Sequence, residues 1–253
     1  MTGLRAAATV AVNTVQESAR SRFFALCLVF GGVVLYASLV LGLLAADQEP
    51  RVLLDFGLSL IELLGLAAAV YGSATIVLRE METKTIYLIL TRPVSRPAYL
   101  LGRFLGLMAA TAAAMIVMSC LHLAILFAKG WAWTPAYVAA VFGSFLKVFV
   151  VAALTLFLAL FSSSILTALV IALILWTLGH FLAEIRYMIR WGSGLGVMAP
   201  LHALSYVIPD LQLLNVRDRL AGPRPLLAPL GYAAAYAAVW LALAAAKFSR
   251  KEF

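Results

Sequence analysis

Residues 79–104 read REMETKTIYLILTRPVSRPAYLLGRF, a long stretch that mixes both signs of charge with aliphatics and lies between two long apolar runs. Its surroundings decide how it is read. The chain of 253 residues is 64% hydrophobic and only 12% charged, against roughly a quarter charged in a soluble domain. Six apolar runs, near 23–45, 55–78, 99–127, 138–160, 165–183 and 228–247, have the length of about 20 residues that crosses a hydrocarbon core as a helix. A transmembrane β-barrel would show alternating segments of about ten residues instead. The expectation is an all-α membrane protein with six transmembrane helices. The first run, FFALCLVFGGVVLYASLVLGLLAA, exceeds a signal-peptide core and reads as a retained span.

Charge sets the expected orientation. Basic residues gather in three segments: Arg5, Arg20 and Arg22; Arg79, Lys84, Arg92 and Arg96 with Arg103 close behind; and Lys247, Arg250 and Lys251. The loops at 46–54 and 128–137 hold only Arg51 and Lys129. Six spans with both termini in the cytoplasm satisfy the positive-inside rule, which also accounts for the net charge of +8 without nucleic acid as a partner. One segment opposes it: 184–227 carries Arg186, Arg190, Arg217, Arg219 and Arg224 on the outer side. A seventh span near 191–209 would contain three glycines and two prolines. Irregular backbone at membrane depth must be buried in protein or face a cavity, so short non-spanning external helices are expected there.

Two amphipathic elements flank the spans. Leu4, Ala8, Ala11, Val12, Val15 and Ala19 share one helical face and Arg5, Thr9, Asn13, Gln16 and Arg20 another, which predicts an interfacial elbow helix over 1–22 feeding a membrane domain over 23–253. In the opening stretch, Ile86, Ile89, Leu90 and Pro93 fall at i, i+3, i+4 and i+7, with Glu80, Thr83, Lys84, Tyr87 and Thr91 opposite. This predicts a short helix that Pro93 ends, after which Ser95 caps the third span and Pro97 sits in its first turn. A plain connector needs only a few residues; about 20 with their own helical pattern suit a docking element.

Arg79-Glu80 with Thr85, then Arg92-Pro93-Val94-Ser95-Arg96, Tyr99-Leu100-Leu101-Gly102 and Gly106, resemble the signature of ABC-2 type permeases. Within them the chain is similar to the six-span branch that includes the permease of the nitrous-oxide-reductase maturation transporter. YVIPDLQLLNVRD (206–218) and KFSRKEF (247–253) agree more weakly with the segment before the last span and with the basic tail. Asp210 stands where the family often has Asn, and Lys84 where many members have Gly. The resemblance implies a pair of permease subunits, a homodimer, in a bacterial cytoplasmic (inner) membrane. It implies an ATP-binding cassette subunit docked on a coupling helix between spans two and three. The residues it assigns there are Arg79, Glu80, Glu82, Lys84, Thr85, Ile86, Ile89, Arg92, Pro93, Ser95 and Arg96. ATP and magnesium would belong to that partner, with no cofactor in this chain; accessory periplasmic or membrane subunits and membrane lipid are further expected partners.

The chain itself shows no G-x-x-x-x-G-K-[ST], the loop that cradles nucleotide phosphates, and no Ser-His-Asp or Cys-His constellation. A non-catalytic permease, an exporter by resemblance only, is the first reading. An ion-gradient transporter and a membrane scaffold for cofactor or protein maturation are the alternatives. Ionisable groups within spans are functional candidates by default. Glu62 and Lys147 fall at similar outer depths, about 10 and 14 Å along their helices, so they either form a pair or face a polar cavity. His122, His180 and His202 have no short ligand spacing, and membrane histidines are usually hydrogen-bonded within the bundle; no metal is expected. Trp131, Trp133 and Tyr137 read as interface anchors, and Cys27 and Cys120 as small apolar residues. Small-residue faces at Gly102/Gly106, Gly65/Ala69/Ser73 and Ala234/Ala238/Ala242 permit close helix contact, first of all within one subunit.

Overall fold

The computed structural model describes residues 3–44, 49–82, 95–162, 164–191, 202, 205–216 and 227–250, which contain helices and no strand. They are α1 (Gly3–Arg20), α2 (Arg22–Leu44), α3 (Glu49–Glu82), α4 (Arg96–Ala128), α5 (Pro135–Ala159), α6 (Ile165–His180), α7 (Leu182–Trp191), a 3-10 turn (Leu211–Leu214) and α8 (Leu227–Arg250). Four of the described helices are long and apolar enough to cross a membrane, or up to six if each of two bent pairs counts as one span.

Helix boundaries follow local chemistry. Ser164 accepts the backbone N–H of Thr167 at 3.2 Å and starts α6, as an N-cap should. Gly130, at φ 78°, ends α4: its N–H bonds to Phe127 O and that of Trp131 to Leu126 O, both at 3.0 Å. This paired arrangement needs a left-handed residue, which glycine adopts without a Cβ penalty. Ser95 holds the N-cap position of α4 with extended backbone and Pro97 lies in the first turn, but the serine side chain makes no capping hydrogen bond.

α3 and α4, 34 and 33 residues long, extend about 50 Å each and overrun a hydrocarbon core of about 30 Å. α3 starts earlier than the apolar run, with a proline in its first turn, a position that accepts proline because that N–H has no partner anyway. α6 is the reverse case. It stops after 16 residues, about 24 Å, and the chain continues into α7 across a 65° bend. The fifth span expected over 165–183 is thus a short helix followed by a break at Phe181.

α5 forms the centre, against α3, α6 and α8. Val148 and the run Val150–Leu156 are all buried. α2 and α6 lie on the outside, exposing Leu26, Val29, Phe30 and Val33, and Leu166, Leu173 and Ile174. Exposed aliphatics on helices of this composition are the face that lipid covers.

α1 differs most from expectation. Its 55° bend from α2 lays it along the first turns of α4, and the stripe it buries there is Ala6 and Thr14 with half-buried Ala7, Val10 and Ala11. Ala8, Val12 and Ala19, expected on a single apolar face with Ala11, remain exposed. The cause is Gly102 and Gly106. A Cβ at Gly102 would come 2.6 Å from Ala7 O, and one at Gly106 2.4 Å from Ala11 O, so only glycine lets the backbones meet. By contrast, Ala234, Ala238 and Ala242 are exposed, and the buried small residues of α8 are Ala233, Ala237 and Ala244.

Candidate functional site

Glu62 and Lys147 meet inside the bundle. Lys147 Nζ donates to both Glu62 oxygens at 3.1 Å, and Ser144 Oγ donates to Oε2 at 2.8 Å. All three residues are at least nine-tenths buried. Ser144 and Lys147 are one helical turn apart on α5 and so share a face. α6 adds a third side: His180 Nε2 lies 3.7 Å from Glu62 Oε1. Its Nδ1 faces the Trp176 carbonyl at 3.0 Å. A carbonyl only accepts, so Nδ1 carries the ring proton, and a second proton on Nε2 would point at the carboxylate. The Trp176 ring stands edge-on to this imidazole at 4.7 Å. One carboxylate therefore joins α3, α5 and α6. Buried charge is tolerated when paired and hydrogen-bonded, and this cluster satisfies both conditions.

Residues 205–216 close over the same end. A Cβ on Gly143 would come 2.8 Å from Leu214 O, and one on Gly179 2.8 Å from Pro209 O, so the segment sits directly on α5 and α6. Gln212 Nε2 donates to His180 O at 3.0 Å. Arg186 donates to Asp210 at 2.8 Å, and the Asp210 N–H donates to Tyr232 Oη at 2.7 Å. These bonds tie α6, α7 and α8 to the segment.

At the opposite end, the charged opening stretch joins α3 to α4. Arg79, Glu80 and Glu82 belong to the last turn of α3. Lys84, Thr85, Ile86, Ile89, Arg92 and Pro93 lie outside the described residues, as does most of the helix expected there. Ser95 is exposed. Arg96 donates from Nη1 to Ser249 O at 3.1 Å, linking the start of α4 to the end of α8. Arg103 pairs with Glu17 of α1 and donates from Nε to Tyr99 Oη at 3.1 Å. The described parts of the three basic segments thus meet at one end of the bundle, and the Glu62 cluster lies toward the other.

His122 belongs to neither group. It is fully buried, with Nε2 3.2 Å from Leu53 O and Nδ1 3.0 Å from Tyr137 Oη. Tyr137 Oη in turn donates to Ser119 O at 3.2 Å, so the imidazole, the phenol and two backbone carbonyls link α3, α4 and α5 through one buried hydrogen-bonded chain. Tyr137 is accordingly a buried bundle residue and not the interface anchor expected, while Trp133 is exposed. A Cβ at Gly57 would fall 2.1 Å from Nε2. Gly57→Ala should displace the ring and lower the melting temperature, by the equivalent of about 1–3 kcal/mol, in a thermal melt of purified protein. His202 is exposed and its ring stands 5.7 Å from that of Tyr206. Among the described residues no group of three His, Cys, Asp or Glu side chains could hold a metal ion.

Sequence reasoning missed Ser144, His180 as a neighbour of Glu62, and the Arg103–Glu17 pair. Ser144 was the most accessible of these, being one turn from Lys147. The other two depend on how α6 and α1 are laid against the bundle, which periodicity does not report.

No curated protein matches the chain. A family model described as ABC-2 family transporter protein matches residues 4–253, nearly the full length, and over a helical membrane bundle of this kind it shows that the chain belongs to the ABC-2 family of transporter proteins.

Proposed function

We propose that this membrane permease of an ABC transporter is the substrate-translocating half of an exporter, working as a homodimer with a separate ATP-hydrolysing chain. The observation that carries the reading is the family match over residues 4–253. The geometry supports a route for coupling. Residues 83–95 connect α3 to α4, and the first turns of α4 bear both α1 and the end of α8. A push on the connection would reach three helices through Arg96 and Arg103. We place Arg79, Glu80, Glu82, Lys84, Thr85, Ile86, Ile89, Arg92, Pro93, Ser95 and Arg96 in the docking element, and propose kinship with the nitrous-oxide-reductase maturation branch. Replacing Ile86 and Ile89 by Asp should abolish co-purification of the ATPase chain and its stimulation by transport. Intact binding and coupling would overturn the docking assignment and favour a gradient-driven transporter or a scaffold.

The same reading sets both termini in the cytoplasm of a bacterial inner membrane and residues 184–227 outside, the gathering of basic segments at one end of the bundle being its support. In a background lacking Cys27 and Cys120, Arg190→Cys and Arg219→Cys should both react with an impermeant maleimide added from outside. Labelling of only one would mean that the chain crosses the membrane between them.

A further inference from the structure

α7 borders an open cleft of about 210 Å³ lined by Arg186, Ile189 and Arg190 on the helix and by His202, Ser205 and Tyr206. A water needs only about 10–15 Å³ of such space, so a five-atom anion fits with room for a substituent. Arg186 and Arg190 are four residues apart, one above the other on the helix. Two guanidiniums so placed repel each other unless an anion lies between them. The structure relieves one. Arg186 gives Nη1 to Asp210, and its side chain is still half exposed, leaving the rest of its fork free for a second acceptor. Arg190 has no hydrogen-bond or ion-pair partner among the described residues. Glu184 cannot serve, lying six residues from Arg190, about 120° around the helix and about 9 Å along it. Arg190 is in the last turn of α7, where the helix dipole favours a cation. The dipole explains a base at that position but not a cleft with Arg186 and a histidine on its walls. The hydroxyl of Ser205 is spent on His202 O at 2.7 Å, so the recognition falls to the arginines, with Ile189 and Tyr206 as apolar wall. Guanidinium forks match the oxygens of phosphate in charge and in bidentate geometry.

We infer that this cleft binds a phosphate group, either free as a small phosphate ester or carried on a lipid headgroup. Arg190 is the principal ligand, and Arg186, held by Asp210, is the second. The inference does not depend on the exporter reading, because binding is measured without nucleotide or transport. The test uses the full-length protein purified with whatever subunits accompany it. Four probes are titrated by thermal shift: inorganic phosphate, glycerol 1-phosphate, and nanodiscs of phosphatidylglycerol or of phosphatidylcholine with matched acyl chains. The expected result is saturable stabilisation by at least one anionic probe that weakens with salt and falls about tenfold or more in affinity in Arg190→Gln. Arg190→Lys should recover part of it and Glu184→Gln should leave it unchanged. Response to phosphatidylglycerol alone identifies a lipid headgroup, and response to the two soluble probes a free ester. Arg190 is exposed, so its loss should barely affect folding. Should that variant not purify, Arg186→Gln, at the second ligand and also exposed, is read for the same loss. No saturable shift with any probe, or the same affinity in parent and variant, overturns the assignment.

Discussion

Glu62→Gln should destabilise the folded protein by about 3–5 kcal/mol, the usual consequence of stranding one member of a buried pair, and the double variant Glu62→Gln, Lys147→Met should recover most of that loss. In the single variant Lys147 keeps its charge at a site where it is nine-tenths or more buried and loses the negative charge of the carboxylate whose two oxygens now lie at 3.1 Å. Lys147→Met should cost less. Its stranded carboxylate keeps the Ser144 hydroxyl at 2.8 Å and has His180 Nε2 at 3.7 Å, placed to bring a second proton and replace the missing cation. In the double variant no charge remains, and the substituted amide still offers an oxygen to Ser144. Thermal melts of the four proteins in detergent give the coupling as a double-mutant cycle. Additive losses would mean that the carboxylate and the ammonium do not stabilise each other, and would make each a candidate for lining the substrate path. Adding His180→Phe to Lys147→Met tests the asymmetry: if His180 supplies the counter-charge, the further loss should exceed that of His180→Phe alone.

This cluster also shows what could be read in advance. The similar depth of Glu62 and Lys147 followed from a rise of about 1.5 Å per residue along two neighbouring spans, since depth is a one-dimensional quantity that sequence spacing carries. Which faces the helices turn to one another is not carried that way. Helices of mean composition this apolar have almost no polar face to mark their orientation, so His180 looked like an isolated residue until α6 was laid beside α3. The same limit applies to Tyr137. Its position just before an apolar run suggested a membrane interface, whereas α5 begins at Pro135 and turns the ring toward His122. Span ends were blurred for a related reason. An apolar run marks where a helix can enter lipid and not where its hydrogen bonds stop, so α3 and α4 proved longer than their runs and α6 shorter. Ser164, Gly130 and Pro135, in contrast, act through local chemistry and sit where local rules put them. The stretch at 79–104 reads as amphipathic in the sequence, but its central residues lie outside the described structure and the partner proposed for it is another chain.

Gly106→Leu should release α1 from the bundle. A Cβ there would lie 2.4 Å from Ala11 O, 2.6 Å from Thr14 Cβ and 3.0 Å from Ala11 Cα. Two of these three atoms are backbone, which no rotamer change can move. Ordinary contact begins at 3.4 Å, so the α1 backbone must retreat by about 1 Å even for alanine, and further for leucine. The retreat cannot stay local, because the neighbouring Gly102 sets the same close approach one turn earlier. It would also draw Thr14 and Glu17 away from Arg103, which now contacts both. The cost of overpacking, about 1–3 kcal/mol, is therefore joined by the loss of a charge-assisted pair and a buried stripe. Thr14 reports the change directly. It is 3% exposed, so Thr14→Cys in a background without Cys27 and Cys120 should resist maleimide, and adding Gly106→Leu should make it reactive. Gly231 is the control. Nothing lies within 4 Å of a Cβ built there, and Gly231→Ala in the helix interior should leave the melt unchanged or raise it by the equivalent of about 0.5–1 kcal/mol. An unshifted melt for Gly106→Leu with Thr14→Cys still protected would mean that α1 is not seated on α4 in the membrane. Arg103 would then need another partner, and the path from the proposed docking stretch into the bundle would run through α4 and α8 alone.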